Sequence, residues 1–285
     1  MSDLRPRRSA LFLPASNARA IEKARTLPCD VVILDLEDAV APEQKQAARE
    51  AAVAAARAGG FGPRELVLRI NGLDSPWAAD DLAAADSAPV DAVLVPKVNA
   101  AADIDAVEAQ MQRAPIWAMI ETCRAIPALG AIAAAAERTR LQALVIGTND
   151  LAKEMRCRLS PDRAELLPLL TLALAAGRGW GLTVLDGVHN AIDDDAGFEA
   201  VCRQGAAMGF DGKTLIHPRQ IAACNAAFSP SPEDVARAEA IVAAFATPDA
   251  DGRGAIRLDG AMVERLHLEQ AQRVLALAAQ GRSAD

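Results

Sequence analysis

Short runs of Val, Ile and Leu alternate with longer, alanine-rich stretches of helical period along most of the chain. Eight such runs stand out, at residues 9–14, 31–37, 66–71, 92–97, 116–122, 143–150, 182–186 and 212–217. They lack polar alternation, which is the signature of parallel strands covered on both faces. Between them lie helix patterns such as residues 42–58 and 126–138. Pro42 suits a helix N-terminus, and Gly59-Gly60 stops the same helix. Strand–helix units repeated about eight times, each near 30 residues, predict an α/β fold of the (β/α)8 TIM-barrel kind. A doubly wound sheet is the competing architecture. Its Gly-rich turn after the first strand is replaced here by Pro14-Ala15-Ser16-Asn17.

The pattern changes after His217. Ser229-Pro230-Ser231-Pro232 reads as a turn and helix start, residues 233–246 as a helix, 247–254 as a linker, 255–258 as a short strand and 262–280 as a final helix. The expected organisation is a catalytic barrel over 1–228 and a C-terminal helical extension over 229–285, packed on the barrel or on a neighbouring subunit.

Apolar residues make up 52% of the 285, enough for a full core, so disorder is not expected. Tyr is absent and aromatics are few, which leaves little surface for stacking nucleic-acid bases. The formal charge of −8 disfavours nucleic acid and anionic membrane as partners. Arg5, Arg7 and Arg8, followed by Arg19, Lys23 and Arg25, form the densest basic cluster. It reads as a solvated surface or as a landing place for cofactor phosphates. Five scattered cysteines fit a reducing compartment better than a disulfide framework or zinc site. The apolar stretch 10–15 is too short for a signal-peptide core, and no run approaches a membrane span, so a soluble cytoplasmic protein is expected.

In a TIM barrel the site lies at the C-terminal strand ends. There the chain places Asp35-Leu36-Glu37-Asp38, Arg69-Ile70-Asn71, Lys97, Glu121-Thr122, Gly147-Thr148-Asn149-Asp150 and Asp186. Carboxylates gathered without His or Cys suit a hard cation such as Mg2+. Each has an ordinary structural account as well. Glu121 fits a strand-end salt bridge, Asp150 a helix cap, and Arg69 a partner for Glu37 or Asp38. Lys97 reads as a barrel-mouth ion pair rather than a Schiff-base lysine. His189 has no second histidine at metal spacing, and Asp193 to Asp195 read as a solvated helix start. Asp259 fits a turn before Gly260.

The stretches RSALFLPASNARAIEKA, LDLEDAV, LRIN, IETCRAI, GTNDLAKEM and GFDGKTLIHPRQI occur in that order and resemble the motifs of the citrate lyase β-subunit/malyl-CoA lyase family. The resemblance covers nearly the whole chain. It implies Mg2+ held by Glu121 and Asp150 and Arg69 as the active-site arginine; Glu37 and Asp38 beside it are further catalytic candidates. It also implies a coenzyme A entrance near His217-Pro218; Arg19 and Lys23, from the basic cluster, are the candidate phosphate partners, and Arg69, Asn149 and Asp150 the substrate-binding candidates. Asp186 and His189 lie in the stretch DGVHNAIDDDAGF, which also resembles the family. In the segment LDGAMVERLHLEQAQRVL the resembling proteins carry Asp where this chain has Glu264, the nominated acid/base.

The activity so implied is reversible, Mg-dependent carbon–carbon cleavage of a 3-hydroxyacyl-CoA ester (malyl, methylmalyl, citramalyl or citryl) to an acyl-CoA and a keto acid. Thioester hydrolysis on the same scaffold is the alternative, followed by a CoA-independent pyruvate aldolase and by a non-catalytic subunit of a larger lyase complex. Small-molecule CoA esters and keto acids are the expected partners, and a homo-oligomer (a trimer or a hexamer) the expected assembly.

Overall fold

In this computed structural model residues 5–247 and 252–281 are described. They divide into two compact units, residues 7–226 and a second made of 227–247 and 252–281 with residues 5–6.

The first unit is a closed barrel of eight strands in sequential order. These are β1 (Ser9–Pro14), β2 (Val31–Asp35), β3 (Glu65–Arg69), β4 (Ala92–Val95), β5 (Ile116–Ile120), β6 (Leu141–Ile146), β7 (Thr183–Asp186) and β8 (Gly212–Leu215). All pair in parallel, and β1 closes the ring against β8 with Ser9 opposite Lys213. Helices α1 (Ala18–Ala24), α2 (Lys45–Ala58), α3 (Ala78–Ser87), α4 (Ala101–Glu108), α5 (Leu129–Ala134), α6 (Thr148–Met155), α7 (Leu167–Gly179), α8 (Asp195–Met208) and α9 (Gln220–Ala227) alternate with them. This is the TIM barrel expected from the alternating pattern.

Side chains two apart on a strand share a face. Val31 and Ile33, Ala92 and Leu94, Trp117 and Met119, and Ala143 and Val145 join Ala10, Val67 and Leu185 in one buried cluster. Two residues onward from Ile33, Val67, Met119 and Val145 lie Asp35, Arg69, Glu121 and Gly147. The period that packs the core therefore also delivers the polar residues to the barrel mouth. Two residues before Val67, Glu65 takes 2.7 Å hydrogen bonds from Arg7 Nε and Nη2. Arg7 also stacks on Trp117, 4.9 Å from the ring centre. This buried pair closes the opposite end of the barrel, the end associated with stability rather than chemistry.

Most strands end earlier than the apolar runs suggest. Glu37, Lys97, Glu121 and His217 lie beyond the ladders, and Asp150 is in the first turn of α6. The backbone leaves the sheet there because polar side chains offer it other partners. Asp35, for example, accepts the N–H groups of Glu37 at 2.8 Å and Ala39 at 3.2 Å.

The second unit contains α10 (Pro232–Phe245), β9 (Ala255–Leu258), β10 (Ala261–Glu264) and α11 (Arg265–Gly281). Ser231 caps α10 through reciprocal bonds with Asp234. Ala238, Ile241, Val263 and Ala271 form its small core. Residues 262–264 were expected to be helical and instead form β10, antiparallel to β9. Asp259 and Gly260 both have positive φ, 49° and 84°, as a two-residue hairpin turn requires. The expected linker 247–254 falls partly on residues 248–251, outside the described residues. No described helix is long and apolar enough to cross a membrane.

Candidate active site

A cavity of about 370 Å3 opens at the C-terminal ends of the strands, lined among others by Asp35, Asp38, Arg69, Met119, Glu121, Gly147, Asn149 and Asp150. Apolar walls come from Phe12, Pro14, Val188 and Ile216.

Arg69 is the fixed point of this rim. Nε and Nη2 each donate to one oxygen of Asp35 at 2.7 Å, the two-pronged match of guanidinium and carboxylate. Nη1 lies 2.9 Å from Glu37 Oε2 and 3.9 Å from Asp38. The guanidinium also stacks on Phe12 at 4.7 Å. Glu37 is expected in the sequence to pair with Arg69, and it does. Asp35 is the stronger partner, recoverable from the alternation Val31, Ile33, Asp35. Lys97 Nζ pairs with Glu37, as the ion-pair account of it expects. Burial raises the Glu37 carboxyl above its ordinary range, while Arg69 and Lys97 pull it back. Asp38 is more open, its side chain 60% exposed and its two cationic neighbours each 3.9 Å away.

Glu121 is fully buried. Oε1 accepts the backbone N–H of Lys97 at 2.8 Å, whereas Oε2 has no hydrogen-bond partner. Burial first, then the charge of Glu37, push its carboxyl up to about 8. Gly147 makes room for it, since a Cβ there would lie 2.5 Å from Oε2. Asp150, on the neighbouring strand's helix, lines the same cavity. It is not the helix cap, because Gly147 occupies that position and Asp150 is two residues into α6. Asn149 exchanges amide hydrogen bonds with Asn190 at 3.2 and 2.7 Å.

A buried carboxylate oxygen without a donor, sharing a cavity with a second carboxylate, fits a divalent cation. Among the described residues no group of three or more His, Cys, Asp or Glu forms a dedicated cage. A pair of carboxylates matches Mg2+, which keeps its remaining positions for water and substrate oxygens.

The other sequence candidates lie elsewhere. Asp186 is fully buried in an ionic cluster with Arg163 Nη1 (2.8 Å) and Lys213 Nζ (2.8 Å). Burial alone would raise its carboxyl, but Lys213 and Arg163 hold it below the ordinary range. His189 Nε2 is buried without a hydrogen bond, 3.8 Å from Asp194 Oδ2, and burial lowers its pKa. His217 Nδ1 accepts the N–H of Arg219 at 3.2 Å. Neither histidine, nor Pro218, lines the cavity, and exposed Arg19 and Lys23 on α1 do not line it either. Glu264 ends β10 in the second unit, where its N–H donates to His267 Nδ1 at 2.9 Å. Arg163 and Lys213 were missed, because their partner comes from another strand and no local pattern announces it.

The pattern of the HpcH/HpaI aldolase/citrate lyase family matches residues 8–218. The chain belongs to this family. Within it, the chain is 46% identical over 273 residues to a (3S)-malyl-CoA thioesterase of Cereibacter sphaeroides, covering 96% of this chain and 95% of the relative. It is 36% identical to an L-malyl-CoA/beta-methylmalyl-CoA lyase of Cereibacter sphaeroides, covering 94% and 93%. A solved family structure, CitE from Mycobacterium tuberculosis with magnesium, acetoacetate and coenzyme A, aligns with a TM-score of 0.79 at 32% identity. It covers 98% of this chain and 100% of that one.

These identities correct the carbon–carbon lyase activity expected from the motifs. The chain matches thioesterases and lyases alike across nearly its whole length, so membership of the family specifies the scaffold and not the bond that breaks. The more similar relatives are thioesterases.

Proposed function

We propose that the chain is an acyl-CoA thioesterase that hydrolyses a malyl-type CoA ester to free coenzyme A and the hydroxy acid. The observation that carries this reading is the 46% identity, across nearly the full length of both chains, to (3S)-malyl-CoA thioesterases. The cavity supports it, combining one anchored guanidinium, a carboxylate pair and an open carboxylate beside apolar walls.

In this reading Glu121 and Asp150 would hold Mg2+. When bound, the ion supplies Lewis-acid polarisation of substrate oxygens. Arg69 orients the acyl group and holds the negative charge that gathers on the thioester oxygen as water adds. Asp35 keeps that guanidinium in place, because its two hydrogen bonds fix the plane of the fork. Asp38, open to the cavity, takes the proton of the attacking water. The carbon–sulfur bond then breaks, and the departing thiolate receives that proton. Glu37, locked between Arg69 and Lys97, keeps both cations oriented. Asn149, at the first turn of α6, contacts the carboxylate end of the acyl group, where helix N–H groups favour an anion. The exposed Arg19 and Lys23, with the His217-Pro218 loop, would receive the coenzyme A phosphates. Hydrolysis generates no enolate, so the proton-donor role considered for Glu264 goes with the lyase reaction.

We further propose a homo-oligomer, a trimer or a dimer of trimers, supported by the exposed Met262 and Leu266 of the second unit. A monomer by sedimentation would count against it. The scattered free cysteines support a cytoplasmic location.

The deciding experiment is incubation of the purified chain with malyl-CoA and magnesium, following free thiol and keto acid together. Thiol and malate without keto acid is the expected result. Keto acid without thiol would overturn the assignment.

A further inference from the structure

A buried carboxylate that waits for a cation needs something other than the cation to aim it. We propose that Asn99 is the positioning residue that makes Glu121 a one-oxygen ligand, acting through a left-handed backbone turn at Lys97. This rests on the reading of Glu121 as a metal-holding residue.

Lys97 has φ 53°, a conformation that crowds the Cβ of an L-residue and persists only where neighbours hold it. The two peptide planes flanking it each serve Glu121's side of the barrel mouth. In the preceding plane, the Lys97 N–H donates to Glu121 Oε1 at 2.8 Å. In the following plane, the Lys97 carbonyl accepts Asn99 Nδ2 at 2.8 Å, while the Val98 N–H donates to Met119 O at 3.3 Å. Asn99 completes the bridge with its other amide atom. Oδ1 accepts the hydroxyl of Thr122, the residue after Glu121, at 2.7 Å. Its backbone is pinned in turn, since Asp103 Oδ2 accepts the N–H groups of Asn99 at 2.7 Å and Ala100 at 3.0 Å.

One amide side chain therefore ties the loop after β4 to the loop after β5 and stabilises the turn whose N–H occupies Oε1. The carboxylate is left with Oε2 alone to offer, buried and unpartnered. A glutamate free to rotate could chelate through both oxygens and use two coordination positions. Held to one oxygen, it leaves more positions for water and substrate, the arrangement that suits magnesium. The Lys97 side chain has a separate task, its pairing with Glu37. Backbone and side-chain roles at this residue can therefore be separated by experiment.

The test is Mn2+ binding to the full chain, followed by the electron paramagnetic resonance of free Mn2+. The proteins compared are wild type, Glu121→Gln, Asn99→Ala, Lys97→Gly and the double variant Asn99→Ala/Lys97→Gly. Glu121→Gln should abolish site binding. Asn99→Ala should weaken it by about tenfold, the low end for residues that orient a ligand. In the Lys97→Gly background the same change should cost less than about twofold, because glycine adopts the left-handed turn without the strain that Asn99 offsets at lysine. Turnover lost in Asn99→Ala should return as magnesium is raised to saturation. Thr122→Val, which removes the other end of the bridge, should shift affinity in the same direction and serves if Asn99→Ala folds poorly. Wild-type affinity in both bridge variants, or an equal loss in both Lys97 backgrounds, would overturn the proposal. Undiminished Mn2+ binding by Glu121→Gln would remove the metal reading beneath it, a different and distinguishable failure.

Discussion

Glu121→Gln separates a buried metal ligand from a buried structural carboxylate through the pH dependence of stability. In the metal-free protein the Glu121 carboxyl is raised from 4.5 to about 8, chiefly by burial and then by Glu37. At about 1.4 kcal/mol per pH unit, that gap corresponds to roughly 5 kcal/mol. The sign follows from proton binding. Between pH 4.5 and 8 the folded state holds the proton that the unfolded chain releases. This group's contribution is therefore fully present below pH 4.5 and is lost as pH rises through 8. Glutamine has no such proton, and every other titrating group is common to both proteins. The wild-type minus variant difference should thus fall by several kcal/mol between pH 5 and 9 in EDTA, measured by urea unfolding. Magnesium at a hundredfold excess over its dissociation constant should offset about half of that fall, since it binds only the folded wild type and adds about 2.7 kcal/mol. A difference that changes by less than about 1.4 kcal/mol across this range would refute the burial argument. Equal stabilisation of both proteins by magnesium would refute the ligand assignment.

Four further outcomes follow from particular contacts. Arg69→Lys cannot reproduce the double hydrogen bond to Asp35, and kcat for thioester hydrolysis should fall by about a hundredfold or more, read as thiol release. Gly147→Ala places a methyl group against Glu121 Oε2 and should abolish magnesium-dependent stabilisation in a thermal melt while the barrel still folds. Asp38→Asn should lower kcat by about a hundredfold with little change in Mn2+ affinity, because its proposed task is proton transfer. Lys213→Met leaves Asp186 with Arg163 alone and should cost about 3 kcal/mol in urea unfolding, the usual penalty for breaking a buried ionic cluster.

The barrel was legible because its signal is local and repeated. Buried parallel strands need continuous apolar runs, and eight of them separated by helix patterns admit few arrangements. Much of the site was legible for the same reason, since Asp35, Arg69 and Glu121 continue the inward alternation of their strands. Glu65 continues one of those series in the other direction, and its pairing with Arg7 was not read. The cluster of Asp186, Arg163 and Lys213 was also illegible as a cluster. Arg163 comes from an irregular segment before α7 and meets Asp186 only through tertiary packing. The turn at Asp259-Gly260 was legible, but the helical period of the residues that follow masked the second strand of its hairpin.

Which bond breaks was not legible, for a reason that lies in the chemistry. Cleavage of carbon–carbon and carbon–sulfur bonds in one bound acyl-CoA draws on the same first requirements, a polarised acyl group and a fixed guanidinium. The motifs encode those requirements. The outcomes diverge on whether a water reaches the thioester carbon beside a carboxylate such as Asp38, or whether a base removes the hydroxyl proton and a donor quenches the enolate. Either depends on placement within about an ångström, which shifts rates steeply while leaving the residue types unchanged. Asp38 lines the cavity and is a carboxylate whichever reaction runs, so its residue type alone does not choose between them. A site whose residue types suit both reactions is therefore assigned by its products, and the thiol-to-keto-acid ratio measures the choice directly.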